Sequence, residues 1–283
     1  MSWQLFTAIG VLLYSVNGLL HRVLMKDQHS DPYAQTIMFA GLVGIFGWFI
    51  LCFRDISLPP LTPNNIILLT TISILSAIGG VFAFKGFKYI EASEHTILLT
   101  SSKLWSLLGA VLILGETLTF KKLLGGLIII SGVLIAEWRK HKFVFNTGAL
   151  YVLIAAASYA LGEILSFFVL RDFDSTSFLV LNCLIMVVLM LIAKPKIIPK
   201  FAFYSKPKNL INILIVSFND TFATLAVFFA YQLGRNALQI GPLMATQTIV
   251  TVILAHIFLR ERDNLLQKFI GASLAVIGAI IVL

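Results

Sequence analysis

Residues 114–136 read LGETLTFKKLLGGLIIISGVLIA: a short polar turn carrying Glu116, Lys121 and Lys122, then an apolar run to Ala136. An offset of 145 positions returns to the same kind of turn, because Leu114-Gly115-Glu116 is matched by Leu259-Arg260-Glu261 and Tyr14 by Tyr159. One residue further on, Gly125 and Gly132 are matched by Gly271 and Gly278. Self-similarity at a fixed offset marks one structural unit present twice. In both copies the last element keeps its two glycines about two helical turns apart, on one face, where small residues let backbones approach closely. That close contact could lie within the chain or between two subunits of a homodimer.

The rest of the chain alternates in the same way. Of 283 residues, 59% are apolar and 12% charged, about half the charge fraction of a water-soluble domain. Polar breaks at residues 26–31, 54–65, 91–94, 116–122, 139–146, 171–175, 194–208, 235–236 and 260–264 separate ten apolar segments. Each is long enough to cross the roughly 30 Å of bilayer hydrocarbon as a helix. The predicted fold is therefore an all-α integral membrane protein of ten transmembrane helices. Prolines 32, 59, 60, 63, 195, 199 and 207 fall in the breaks or at helix starts, where the missing N–H is tolerated. Pro242 stands inside the ninth segment and predicts a kink there. The first segment is too long for a signal peptide's apolar region and has no basic start, so it reads as a retained span.

Residues 1–140 and 141–283 form the two copies, each of five spans. An odd number of crossings obliges the second copy to enter the membrane in the opposite sense, giving two inverted five-helix repeats. Such halves can open a central site to one side and then to the other.

Three motifs give this plan a family likeness. Residues 84–92 (FKGFKYIEA), 114–119 (LGETLT) and the opening Ser158-Tyr159-Ala160 resemble the third-helix exit, the fourth-to-fifth turn and the sixth-helix start of the drug/metabolite transporter superfamily, in particular its EamA-type members. The arginine often present early in the second helix of that family is absent; the neighbourhood reads Pro32-Tyr33-Ala34-Gln35-Thr36. The resemblance implies a carrier of amino acids, nucleotide sugars, phosphorylated sugars or assorted metabolites and drugs.

A charged side chain at mid-span costs about 2.5 to 3.5 kcal/mol on insertion scales, so each one present asks for a cavity, a partner or a function. Lys103, Asp220 and Glu163 meet that description. Polar neighbours recur at helical spacing: Thr96, Thr100 and Lys103; Ser217, Asp220, Thr224 and Tyr231; Tyr14, Asn17 and His21; Tyr159, Glu163 and Ser166; Gln247 or Thr248 with Thr251. Lys103 and Asp220 are the candidate substrate contacts, as an ammonium for a carboxylate or phosphate and a carboxylate for an ammonium. The alternative reading is a structural ion pair locking the fourth helix to the eighth, with the transport role the leading one. Thr100, Trp105, Gln247, Tyr14, Tyr159, Asn17 and Thr224 would line the pocket, and Glu163 is a candidate proton carrier. His21 and His256 fall near segment ends and read as interfacial. Glu116 and Glu261 read as helix-end or gate-loop residues near water. Trp3, Trp48 and Trp138 are expected at headgroup level.

The formal charge of +8 would suit nucleic acid only if clustered on a soluble element; here it is spread through the breaks, which argues membrane lipid rather than nucleic acid. The lysines at 194, 196, 200, 206 and 208 are expected to face anionic lipid. Five arginines and lysines (Arg54, Lys121, Lys122, Arg171, Arg235) fall on one side and fifteen on the other, with Lys103 between. The positive-inside rule then puts both termini outside the cytoplasm, in the plasma (inner) membrane. Cys52 and Cys183 read as small packing residues, and no metal or cofactor is expected. The five scattered histidines carry no His-Glu-x-x-His pattern and no phosphate-binding loop is present. An enzyme acting on lipid is a remote reading and a small-metabolite carrier, with proton coupling open, the leading one.

Overall fold

The structure, a computed structural model, describes residues 2–53, 62–114, 119–136, 138–139, 142–143, 146–169, 173–234, 243–261 and 263–282. Glu116, Pro242, Arg54, Lys140, Arg171, Arg235 and Arg262 lie outside these residues, as do the side chains of Trp138, Arg139, Lys142 and Tyr231. The first half comprises α1 (Trp3–Met25), α2 (Pro32–Leu51), α3 (Pro63–Tyr89), α4 (Ala92–Leu99), α5 (Ser102–Leu114) and α6 (Phe120–Ala136). A minimal hairpin pairing Trp138–Arg139 with Lys142–Phe143 leads to the second half. There follow α7 (Thr147–Val169), α8 (Ser175–Ala193), a 3-10 segment (Pro195–Ser205), α9 (Pro207–Gly234), α10 (Gln247–Phe258) and α11 (Leu265–Val282).

Among the described residues six stretches are long and apolar enough to cross a membrane by length and composition: Trp3–Met25, Pro32–Leu51, Pro63–Tyr89, Thr147–Ser166, Ser175–Ala193 and Pro207–Ala230. Leu243–Phe258 and Leu265–Ile281 are shorter apolar helices. Local chemistry sets the helix starts. Asp31 accepts from the backbone N–H groups of Tyr33 and Ala34 at 2.9 and 3.1 Å, with Pro32 at the first helical position. Asp174 does the same for Thr176 and Ser177 at 3.0 and 3.1 Å. These caps satisfy orphan donors that hydrocarbon could not, and they open α2 and α8, which hold the same place in the two halves.

The fourth segment departs from the expected single helix. Thr100 and Ser101 form a turn between α4 and α5, held by bonds from Thr100 N to Ile97 O (3.2 Å), Ser101 N to Leu98 O (3.0 Å) and Lys103 N to Thr100 O (3.1 Å). This i→i−3 spacing overwinds the chain, so Thr96, Thr100 and Lys103 do not share one regular helical face. The ninth segment breaks at the equivalent place, 146 residues on, where Thr246 N bonds Leu243 O and Ile249 N bonds Thr246 O, both at 3.1 Å.

Packing follows the repeat. α1 lies along α9 and α3 along α7; α5 packs on α7 and α1 on α10; α2 packs on α9 and α3 on α8. α2 pairs with its own equivalent α8, and α6 with its equivalent α11. Exchanging the halves turns each contact into another of the set, the property of a pseudo-two-fold arrangement. The halves are thus interleaved rather than side by side.

The repeated glycines meet each other inside the molecule. A Cβ at Gly132 would stand 2.6 Å from the carbonyl oxygen of Gly271, and one at Gly271 would stand 2.8 Å from that of Gly132. The exchanged pair behaves alike, since a Cβ at Gly278 would stand 2.7 Å from the carbonyl oxygen of Gly125. The choice between an internal and an intersubunit contact is therefore settled: these glycines join α6 to α11.

The largest core cluster gathers Leu24, Met25, Ile37, Phe84, Met186 and Tyr204. His21 belongs to it and is not interfacial as expected. It is buried, edge-on to Phe39 with ring centroids 4.8 Å apart, and its Nδ1 lies 3.4 Å from Gln35 Nε2.

Candidate functional site

Polar side chains at mid-span collect in two places. On α1 and α9, Asn17 Nδ2 donates to Asp220 Oδ1 at 2.8 Å, while Asn219 Nδ2 donates to Asn17 Oδ1 at 2.6 Å and to Leu13 O at 2.7 Å. One turn along, Tyr14 and Thr224 share a hydroxyl–hydroxyl bond of 2.7 Å. The chain Asn219–Asn17–Asp220 fixes the carboxylate on the α1–α9 seam. Tyr159 of α7 and Cys183 of α8 both lie within electrostatic range of it, so Asp220 faces elements beyond its own helix pair.

The second place lies where α5 packs on α7. Lys103 Nζ stands 3.7 Å from Glu163 Oε2, with the two side chains 23% and 42% exposed. That spacing is longer than a well-made charged hydrogen bond, and the exposure leaves both groups room for another partner. The alternative of a Lys103–Asp220 lock is not what the structure contains: among the described residues Lys103 pairs with Glu163, and Asp220 is held by Asn17. Trp105, 40% exposed, follows Lys103 near the start of α5, not in mid-helix.

Tyr14 and Tyr159 occupy equivalent positions, and so do their partners. Tyr14 bonds Thr224, whereas the ring of Tyr159 lies against Gly79, the residue 145 positions before Thr224, so that a Cβ on Gly79 would stand 2.6 Å from the ring. The same backbone frame thus carries a hydrogen bond in one half and a bare ring contact in the other. The polar groups are placed asymmetrically on a symmetric scaffold.

The two broken segments meet as well. Thr100 Oγ1 lies 2.8 Å from Thr248 Oγ1, and Ser15 Oγ reaches the carbonyl oxygen of Gln247 at 3.3 Å. Gln247 is half-buried at the start of α10. The buried hydroxyls of Ser101, Ser217 and Thr251 have no hydrogen-bond partner among the described residues. Buried hydroxyls in proteins are normally satisfied, and these three flank the same helix breaks and the α9 stripe.

At one end of the bundle a network of polar contacts joins the halves. Glu261, 8% exposed, accepts from Ala92 N at 2.8 Å, Ser93 N at 3.1 Å and Ser93 Oγ at 2.5 Å, and so caps α4 from the turn between α10 and α11. Lys268 of α11 pairs with Glu91, and Arg22 of α1 donates to Phe87 O. Glu261 is thus a buried latch and not the water-facing residue expected. His256 Nδ1 lies 3.3 Å from the Glu261 carbonyl oxygen, half-buried.

Several of these contributors escaped sequence reading. Asn219 lies one position from Asp220 and off its i, i+3, i+7 stripe, so periodicity discards it. Gln35 is the fourth residue of a largely apolar helix, and its partners, Tyr204 of the distant 3-10 segment donating to its Oε1 at 2.5 Å and His21 of α1, come from other elements. For Glu261 a signal existed: its turn is one of those the repeat retains.

An apolar groove between α2 and α8, lined by Gly41, Gly44, Trp48, Cys183, Leu184 and Val187, offers no polar group for a polar ligand. The polar seams are the candidate site.

Comparison with known proteins accords with this architecture. Among curated proteins none matches the chain. A solved crystal structure is similar over 99% of this chain and 95% of its own, at 17% identity and a TM-score of 0.69, which speaks for the fold alone. The family model of the EamA-like transporter family matches twice, over residues 1–138 and again over residues 146–283. With both halves matched, the chain belongs to the EamA-like transporter family, an integral multi-pass membrane protein of the drug/metabolite transporter superfamily.

Proposed function

We propose that the protein is a secondary-active carrier that exports or exchanges a small polar metabolite, an amino acid or related zwitterion, by alternating access between its two halves. The supporting observation is the separation of charge: Lys103 with Glu163 on α5 and α7, Asp220 with Asn17 on α9 and α1. A zwitterion would place its carboxylate on Lys103, displacing the loose contact to Glu163, and its ammonium on Asp220. Glu163, freed and partly exposed, is the candidate proton carrier. Thr100, Trp105, Gln247, Tyr14, Tyr159, Asn17 and Thr224 contribute the pocket wall. A phosphorylated sugar or nucleotide-type anion is the second reading, and the carboxylates of Glu163 beside Lys103 and of Asp220 on the other seam weigh against it through like-charge repulsion.

Alternating access requires one face to be shut while the other opens. The Glu261 cap on α4 and the Lys268–Glu91 pair supply a closure on one side that ties the halves together and can be released as a unit. In a plasma membrane, the positive-inside count supports both termini outside the cytoplasm.

The test is a thermal-shift screen of the purified chain against amino acids, amines, nucleotides and sugar phosphates, followed by uptake of the hits into proteoliposomes. Zwitterionic amino acids should raise the unfolding temperature of the native protein and not of Lys103→Ala, and that variant should lose uptake while remaining folded. Stabilisation by sugar phosphates alone would replace this reading with the second one.

A further inference from the structure

We infer that the 3-10 segment between α8 and α9 is a docking surface for anionic phospholipid headgroups. The segment runs for eleven residues, Pro195–Ser205, or about 22 Å at the rise of a 3-10 helix. Such helices are seldom this long, and this one is braced from beneath. Ile197, Phe203 and Tyr204 are buried against the bundle, and the Tyr204 hydroxyl bonds Gln35 of α2. Burial raises the Tyr204 hydroxyl above its ordinary pKa, which keeps it a donor. With three residues per turn, Lys196, Pro199, Ala202 and Ser205 form one row, and every one of them is exposed. The platform is therefore rigid, with a fixed outer side.

Charge on that outer side is unbalanced. Lys194, Lys196, Lys200, Lys206 and Lys208 are all exposed, and residues 194–208 contain no acid. Other basic residues on the same membrane face turn inward: Lys88 donates to Ser30 O at 2.5 Å, Lys85 lies over the rings of Phe82 and Tyr151 at 4.8 and 5.3 Å, Lys268 pairs with Glu91 and Arg22 with Phe87 O. Lys194 rests over Tyr33 at 5.0 Å. Lys196, Lys200, Lys206 and Lys208 form no ion pair among the described residues, and Asp27, the acid within electrostatic range of Lys206, is already bonded by His29. Two ammonium groups on the braced segment and two just past its end, none of them ion-paired among the described residues, call for an external anion.

Depth selects the kind of anion. α8 ends at Ala193 and α9 begins at Pro207, so Lys194, Lys196, Lys200 and Lys206 lie between two span ends and Lys208 in the first turn of α9, all at the level of the headgroups. Ile198, between Lys196 and Lys200, is 59% exposed. An apolar side chain flanked by lysines at this depth suits a surface with acyl chains below and phosphates above; an acidic protein would leave it uncovered. Anionic lipid would in turn reinforce the Tyr204 brace and hence the packing of α1, α2 and α8 around His21 and Gln35.

The full-length chain, reconstituted in phosphatidylcholine nanodiscs with and without phosphatidylglycerol, provides the test. Phosphatidylglycerol should raise the unfolding temperature by several degrees, and about 0.5 M NaCl should reduce the rise. Replacing all five lysines by Gln should abolish it. The milder pair Lys196→Gln and Lys200→Gln, which alters only exposed positions, should lower it by about half while leaving the unfolding temperature in pure phosphatidylcholine unchanged. Lys121→Gln, on the opposite face, should leave the rise intact. An equal rise in the native and Lys→Gln proteins, no rise in the native protein, or an equal rise from inorganic phosphate alone would each overturn the inference.

Discussion

Arg260 occupies a left-handed backbone conformation, φ 56°, that costs a residue with a Cβ about 1 kcal/mol. Its counterpart 145 positions earlier is Gly115, the residue that adopts this conformation freely. The strain ends α10 with a bond from Glu261 N to Ala255 O at 3.3 Å, the wrapped closure of a helix C-terminus, and turns Glu261 beneath α4. Arg260→Gly should therefore raise stability by about 1 kcal/mol in reversible unfolding. Glu261→Gln removes a charged acceptor from three donors and should lower stability by about 1–3 kcal/mol; an unchanged unfolding temperature would show that the cap bears no load. At the Lys103–Glu163 pair, a double-mutant cycle separates the roles. If the two only hold α5 to α7, replacing both by Gln restores the transport lost in either single variant. The proposed carrier function expects no such rescue.

Helices in lipid gain little from hydrophobic burial against each other, so close packing must hold them together. α6 and α11 approach through Gly132, Gly271 and Gly278, where a Cβ would meet backbone and cannot be accommodated by a rotamer change, with Gly125 lending the carbonyl oxygen that faces Gly278. Gly132→Val should cost at least about 1–3 kcal/mol and part the two helices. Gly162 of α7 is the control: the nearest atom to an added Cβ is 3.8 Å away, so Gly162→Ala should be neutral or stabilising by up to about 1 kcal/mol. The glycine spacing was legible in the sequence and so was the face it marks; which partner that face met was not. The break in the fourth span was illegible for a different reason. Residues 96–104 contain neither Gly nor Pro. The chain turns instead where the Thr96 and Thr100 hydroxyls bond back to Ala92 O and Thr96 O, both at 3.0 Å, a habit of threonine that bends helices without a sequence breaker.

For the whole molecule, five spans in each half oblige inversion, and the exchangeable packing of α1 on α9 and α3 on α7 is its three-dimensional counterpart. The direction of the assembly rests on the fifteen-to-five bias of arginine and lysine. A cytoplasm-only reporter fused to the C-terminus should stay silent, and its activity would reverse the proposed orientation. The ion pair of Lys268 with Glu91 and the hydrogen bond of Lys88 to Ser30 O do not weaken the bias, because both lysines lie on the richly basic side.

What the chain alone determined was everything governed by local chemistry and period: spanning segments by apolar length, helix starts by Pro32 and Pro63, duplication by the 145-residue offset, and the presence of Lys103, Glu163 and Asp220 within apolar spans. Those are properties of a residue and its near neighbours in sequence. Only the tertiary structure decided who meets whom. Glu163 rather than Asp220 faces Lys103, Asn17 holds Asp220, Glu261 caps a helix of the other half, and His21 lies in the core. Each of these pairs joins residues on different helices, and the relative rotation and depth of two helices is set by packing across the whole bundle, to which no single segment's periodicity gives access.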